Sequence, residues 1–186
     1  MHTTYSGNLV RLRPFASGEE EFLAVCEVFV RTSPHWGQLW WPRPGELKDF
    51  ADTGFFCDKY CVFAIDRIDT GDLIGFEIAE LGKQGPCACE VGTFIIERHQ
   101  RHGFGVEAKL LNLCFLFENL NLTQAWAVTL ETHERARRGI ELCGMQYRGV
   151  KRRAHFSRGV WRDEVIYSMT RREWLDHPVR EYVNRG

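Results

Sequence analysis

The chain has 186 residues, 44% of them apolar and 26% charged, which is typical of one globular domain that buries its own core. Its net charge of −1 gives no overall attraction to nucleic acid or to a membrane surface, so we expect neither as a partner. The seven cysteines cannot all pair with one another, and their spacing is not that of a metal site. The first residues lack the apolar segment of a secretion signal. Together these features favour a reduced, cytoplasmic protein without a metal.

The first part of the chain predicts one strand followed by two helices. Residues 9–14 alternate apolar and polar side chains and stop at a proline, which is typical of an edge strand. Residues 17–30 begin with a capping-box pattern and continue with apolar positions at helical spacing. A shorter helix is expected to start at residues 46–50. The segment between the two helices carries three tryptophans: Trp36, Trp40 and Trp41.

The rest of the chain predicts hairpins around a single crossover helix. Strands are expected at residues 61–65, 73–80, 89–96, 125–130, 145–155 and 163–170, and helices at 107–120 and 135–142. This order predicts an α/β (α+β) domain over residues 1–186. Its mixed, mostly antiparallel sheet would have about seven strands, with helices on both faces.

The junction before the crossover helix, residues 100–108, is the most informative segment. Gly103 and Gly105 let successive backbone N–H groups converge beside the positive end of the helix dipole, which favours a phosphate. The spacing also fits the dinucleotide fingerprint, but that fold needs its strand to run nearly into the first glycine, and here the polar segment 97–102 intervenes. No Gly-Lys-Ser/Thr follows, which excludes a P-loop. The local residues alone leave a purely structural glycine turn open.

Several segments together resemble the GNAT N-acetyltransferases. Gln100-x-x-Gly103-x-Gly105 is similar to the acyl-CoA-binding motif of that family. Further matching segments resemble, in the right order, the branch that acetylates ribosomal-protein N-termini (RimJ/RimL-like): residues 9–14, 69–76, 90–96 and 162–169. The resemblance covers nearly the whole chain. It implies the GNAT fold, with central strands that splay apart to hold acyl-CoA.

The resemblance also implies acetyl-CoA as the acyl donor and assigns residues to it. A strand backbone would meet the pantetheine arm, the glycine loop would hold the pyrophosphate, and two residues near the short helix would contact the arm and a phosphate. The expected cofactor-binding residues are Phe94, Ile95, Ile96, Arg101, His102, Gly103, Phe104, Gly105, Val106, His133 and Arg138. For His133 and Arg138, simple exposure to solvent is the alternative.

Transfer to an amine requires a base, because alkyl amines are mostly protonated at neutral pH. Glu90 heads the core strand and is the expected base; Glu77 and Glu80 are rivals, and each of the three also suits a surface salt bridge. Ile140 stands where the family often has a tyrosine proposed to protonate the leaving thiolate. Isoleucine cannot donate a proton, so that form of acid catalysis is excluded here.

The function expected from the resemblance is acetyl transfer to a primary amine, on a protein N-terminus or on a small molecule. Trp36, Trp40 and Trp41 are the expected substrate-binding residues, with a dimer interface or a loop core as the alternative. The protein is expected to be a monomer or a homodimer. An antibiotic or amino-acid acetyltransferase is a second hypothesis, and a catalytically silent acyl-CoA-binding module is a third, suggested by Ile140 and His133.

Overall fold

The computed structural model describes residues 4–16, 19–32 and 45–180. The strands are β1 (Tyr5–Ser6), β2 (Val10–Pro14), β3 (Tyr60–Arg67), β4 (Leu73–Leu81), β5 (Ala88–Ile95), β6 (Gln124–Leu130), β7 (Gln146–Ser157) and β8 (Val160–Thr170). The helices are α1 (Glu19–Thr32), α2 (Glu46–Thr53), α3 (Phe104–Cys114), α4 (Glu134–Leu142) and α5 (Arg171–Leu175). Within the described ranges, no helix is long and apolar enough to cross a membrane.

The strands form one sheet in the order β1-β2-β3-β4-β5-β6-β8-β7, and every neighbouring pair is antiparallel except β5 and β6. This confirms the expected α/β fold with a single, mostly antiparallel sheet. The sheet has eight strands, slightly more than expected. The extra strand is β1, a two-residue segment that pairs with β2 and is too short to produce an alternating pattern.

Apolar side chains form a core on each face of the sheet, because alternate residues of a strand point to opposite faces. On β3, Phe63 belongs to the larger cluster, which packs against α3, whereas Val62 belongs to the smaller one. The smaller cluster includes Val28 of α1 and Phe50 of α2. Helices therefore cover both faces.

The two parallel strands at the centre of the sheet separate soon after they start. β5 and β6 pair only at Ala88–Gln124, Cys89–Ala125 and Glu90–Trp126. Beyond these positions β5 stays paired with β4, and β6 stays paired with β8. The later part of β5 therefore turns one backbone edge toward an opening in the sheet.

Candidate functional site: a cleft between the central strands

The opening between β5 and β6 is a cavity of about 520 Å³. Residues 91–95 of β5 form one wall and residues 127–129 of β6 form the other. The start of α3 and one side of α4 close the cleft. The volume lies within the range usual for small-molecule sites. An extended ligand can therefore run from the glycine loop toward the point where the strands meet.

The glycine loop has the backbone geometry of an anion site. Arg101 and Gly103 both adopt left-handed conformations, with φ of 69° and 84°. Gly103 immediately precedes α3, and its carbonyl accepts hydrogen bonds from the N–H groups of Val106 and Glu107. The first N–H groups of any α-helix have no carbonyl partner within the helix. Here these are the N–H groups of residues 103–105, and they are available to a ligand.

Gly105 lies where the start of α3 packs against β5. A Cβ atom at this position would meet Thr93 Cγ2 and Ile95 Cγ1, each at 3.5 Å. A larger side chain at residue 105 would therefore enter the space between the helix and β5. The backbone of Gly105 does not have a positive φ, and a Cβ atom would make ordinary van der Waals contacts, so a small side chain fits at this position.

A glutamate ties the first turn of α3 to the N-terminal strands. The Glu107 carboxylate accepts hydrogen bonds from the backbone N–H groups of Asn8, Leu9 and Val10 at 2.9, 2.7 and 2.7 Å. These charge-assisted contacts join segments almost a hundred residues apart in the chain. The loop that begins the helix is thereby anchored to the sheet edge.

Basic residues surround the loop end of the cleft. Arg101, Arg135 and Arg138 are exposed and line it, as does His99, which is buried. The Nε2 atom of His99 accepts a hydrogen bond from Arg98 Nε at 2.9 Å. Burial, and then the charge of Arg98, lowers the pKa of His99 below its ordinary value. The arginines therefore supply the positive charge at this end.

A buried polar cluster lies under the middle of the cleft. Glu77 of β4 is fully buried and accepts a hydrogen bond from the hydroxyl of Thr93, its register partner on β5. Lys109 Nζ of α3 lies 3.9 Å from Glu77 Oε2. Burial raises the pKa of Glu77 to about 7, although Lys109 and Thr93 act in the opposite direction. Thr93 and Lys109 both line the cleft.

Comparison with known proteins agrees with this architecture. The family model described as an acetyltransferase (GNAT) domain matches residues 10–146. The chain belongs to the GNAT family. A curated relative, the uncharacterised N-acetyltransferase YoaA of Bacillus subtilis (strain 168), is 30% identical over 109 residues. That match covers 59% of this chain and 62% of the relative, so the chain spans less than two thirds of the relative's length.

Solved GNAT structures share the fold at low sequence identity. The spermidine N-acetyltransferase from Vibrio cholerae, solved with CoA and spermine, has a TM-score of 0.76 at 19% identity and covers 89% of this chain and 98% of its own. The ribosomal-protein-S5-alanine acetyltransferase from Vibrio fischeri has a TM-score of 0.76 at 15% identity, with coverages of 92% and 98%. At these identities the similarity establishes the fold alone.

Most of the residues expected to bind the acyl donor come together in the GNAT cleft. Phe94, Ile95, Arg101, Gly103, Phe104, Gly105, Val106, His133 and Arg138 all line it. Two do not. Ile96 is buried in the smaller core cluster, and His102 is exposed and stacks on Phe104 with ring centroids 5.6 Å apart. The roles of all these residues stay predictions.

The expected base does not line the cleft. Glu90 faces Glu80 across the β4–β5 pair, and both carboxylates contact Lys83 Nζ, at 3.3 and 3.0 Å. Strand alternation puts both on the face of the smaller core cluster, opposite to Glu77. Base function for Glu90 therefore requires an acceptor that enters from that face.

Trp36, Trp40 and Trp41, the expected substrate-binding residues, lie outside the described residues.

Sequence reasoning missed two polar residues of the cleft, Thr93 and Lys109. Gln100, the first residue of the acyl-CoA-binding motif, also lines the cleft, and its Nε2 donates a hydrogen bond to Ile95 O at 2.7 Å. The buried Oε1 of Gln100 has no hydrogen-bond partner in the described chain. One signal was available, since Lys109 follows Gly105 by four residues and so lies on the same side of the helix.

Among the described residues, no cluster of three or more His, Cys, Asp or Glu side chains is arranged to hold a metal.

Proposed function

We propose that this GNAT protein is a single-domain N-acetyltransferase that transfers the acetyl group of acetyl-CoA to a primary amine. One observation carries the proposal: the central strands separate beside a glycine loop, which produces one continuous cleft with a basic end and an exposed strand edge. A phosphate-bearing, extended thioester matches both features.

The residues present fit acetyl-CoA along its length. The free N–H groups of residues 103–105, together with Arg101, would hold the pyrophosphate, and Arg138 would meet a further phosphate. The backbone edge of residues 91–95 that β6 leaves unpaired would bond the amide groups of the pantetheine arm. A backbone N–H of the same strand would polarise the thioester carbonyl, as an oxyanion-hole donor does.

The chemistry required of the protein is deprotonation and orientation of the amine. We retain Glu90 as the base, acting directly or through a water on the face opposite to α3. Its contact with Lys83 fits this role because the pair holds the carboxylate in one orientation until an acceptor arrives. The amine then attacks the thioester, the C–N bond forms, and the C–S bond breaks.

The acceptor we propose is a protein N-terminus, as in the RimJ/RimL-like branch, or a small primary amine. The two compared Vibrio enzymes carry the names of a polyamine and a ribosomal-protein acetyltransferase, which makes both classes reasonable acceptors to test. Trp36, Trp40 and Trp41 are proposed to wall the acceptor side. We propose a cytoplasmic location and a monomer or homodimer.

A silent acyl-CoA-binding module is the second candidate, favoured by Ile140, which is buried at the cleft and cannot protonate a thiolate. Calorimetry with acetyl-CoA, combined with CoA release over a panel of N-terminal peptides, polyamines, amino acids and aminoglycosides, separates the two. Binding with turnover of at least one amine supports the enzyme. Binding without turnover of any amine supports the module, and absence of binding contradicts both.

The base assignment has its own test. In Glu90→Gln we expect turnover to fall about 10²-fold or more with little change in acetyl-CoA affinity, which is the scale of general-base effects. Glu80→Gln is the matched control, because this residue contacts the same lysine from the neighbouring strand. Equal losses of turnover in both variants would mean that turnover depends on the ion pairs with Lys83 and not on a base at residue 90. Unchanged turnover in Glu90→Gln would remove Glu90 from the mechanism.

A further inference from the structure

Lys109 is a buried cation on the floor of the cleft. Only 5% of the residue is exposed, yet it contributes to the cavity lining. Its ion-pair partner is Glu77, but the separation of 3.9 Å exceeds a hydrogen bond, and within the described chain no hydrogen bond to the Lys109 ammonium is formed. A buried ammonium group has three donors to satisfy. Lys109 therefore has capacity for an acceptor that enters the cleft.

The groups around Lys109 leave its charge only partly balanced. Glu77 faces it from β4, Cys89 from β5 and Cys143 from the end of α4. Burial raises the pKa of each thiol to about 12, so both thiols are protonated and neutral near pH 7. Burial also raises the pKa of Glu77 to about 7, so this carboxyl is ionised only part of the time at that pH. An anion that reached Lys109 would gain a partner in a poorly solvated site.

The fold brings Lys109 to the part of the cleft where the reacting end of an acyl donor would lie. The anion-binding loop occupies one end, and the strands meet at Glu90 and Trp126 at the other. α3 runs from the loop back along β5, so Lys109 lies one helical turn beyond Gly105 toward the junction. Ile140 lines the same cleft and offers no donor. An arm extended from the loop would carry its sulfur past this lysine.

We propose that the Lys109 ammonium contacts the thioester sulfur and stabilises the thiolate released on acetyl transfer. The inference rests on the proposed function and adds a catalytic residue to it. As the amine nitrogen bonds to the acetyl carbon, the C–S bond breaks and its electron pair stays on sulfur. Lys109 donates a hydrogen bond to that sulfur and keeps its own proton. The proton lost by the amine goes to the base or to water.

The inference can be tested without knowing the acceptor, by titrating the thiol of bound CoA through its thiolate ultraviolet absorbance. In the wild type we expect the pKa of the bound thiol to lie at least about one unit below that of free CoA, because an opposite charge within about 4–6 Å shifts a pKa by 1–3 units. In Lys109→Met the shift should disappear. Lys59→Met, which changes an exposed lysine outside the cleft lining, should behave as the wild type.

Calorimetry with desulfo-CoA provides the second readout. The measured quantity is the affinity for CoA divided by the affinity for desulfo-CoA. As the pH rises through the pKa values of the bound and the free thiol, this ratio should increase about tenfold in the wild type and stay constant in Lys109→Met. The double variant Glu77→Gln/Lys109→Met replaces the buried pair by neutral groups of similar size, which proteins often tolerate, so it provides a folded comparison. It should match the single variant.

The outcomes separate the inference from the proposed function. If the wild type binds CoA but its thiol titrates as in free solution, the role of Lys109 is wrong and acetyl transfer stands. If the thiol shift survives in a folded variant that lacks Lys109, the stabilising group is elsewhere. If the wild type does not bind CoA, both proposals fail. A lowered thiol pKa that depends on Lys109 supports the inference, since a purely structural lysine would not change it.

Discussion

Replacing Glu77 with glutamine should change how the stability of the protein depends on pH. The carboxyl group is fully buried, and its pKa is raised from the ordinary 4.5 to about 7. Between these two values the folded state binds a proton that the unfolded chain releases. The stability contributed by the protonated group is therefore fully present below pH 4.5 and is lost as the pH rises through 7.

The size of the effect follows from the shift. A difference of roughly 2.5 units, at 1.36 kcal/mol per unit, amounts to about 3 kcal/mol. Most of this loss falls between pH 5 and 7, with a maximum slope of about 1.4 kcal/mol per pH unit. Glutamine cannot ionise, so Glu77→Gln should lack this component of the slope. Its absolute stability should also fall, because Lys109 then loses its partner.

The assay is urea unfolding at intervals from pH 5 to 8, with the free energy of unfolding of each variant plotted against pH. Glu80→Gln is the control, since its half-exposed carboxylate lies on the same strand but on the opposite face. The wild type and Glu80→Gln should lose stability in parallel as the pH rises, whereas Glu77→Gln should follow a flatter course. Parallel curves for all three proteins would show that Glu77 ionises normally and that the buried cluster does not hold a proton.

Three further variants test the glycine loop, its anchor and the basic end of the cleft. Glu107→Gln should lower the free energy of unfolding by about 2 kcal/mol in the same urea assay, because three backbone N–H groups lose a charged acceptor. Glu134→Gln, in the first turn of α4, is the control and should cost less than 1 kcal/mol. Gly103→Ala should destabilise by about 1 kcal/mol and also weaken acetyl-CoA binding in calorimetry; Gly71→Ala, with a similar φ in an open turn, should destabilise without affecting binding. Arg138→Gln should weaken CoA binding about tenfold at low salt and less at high salt, and a salt-independent loss would rule out a phosphate contact.

Local patterns predicted much of the fold because they depend on neighbouring residues only. The alternation along residues 61–65 and 73–80, and the spacing of Gly103 and Gly105 before a helical segment, identified the hairpin and the loop that the structure contains. β1 was missed, since two residues are too few to show a period. The loop prediction succeeded because a left-handed φ before a helix favours glycine wherever the loop is placed in the fold.

The sequence by itself determined the family, the strand order around the glycine loop and the part of the cleft lining that this loop supplies, since these follow from short motifs in a fixed order. Only the tertiary structure decided which carboxylate is buried. Alternation already places Glu77 and Glu80 on opposite faces of one strand, but no local pattern tells which of the two faces buries its carboxylate. Glu77 then meets Thr93 and Lys109, which lie 16 and about 30 residues further along the chain. Because β4, β5 and α3 each contribute one residue to this cluster, no short stretch of sequence predicts it. The burial of Glu77 and its contacts arise only when the helix packs on the sheet.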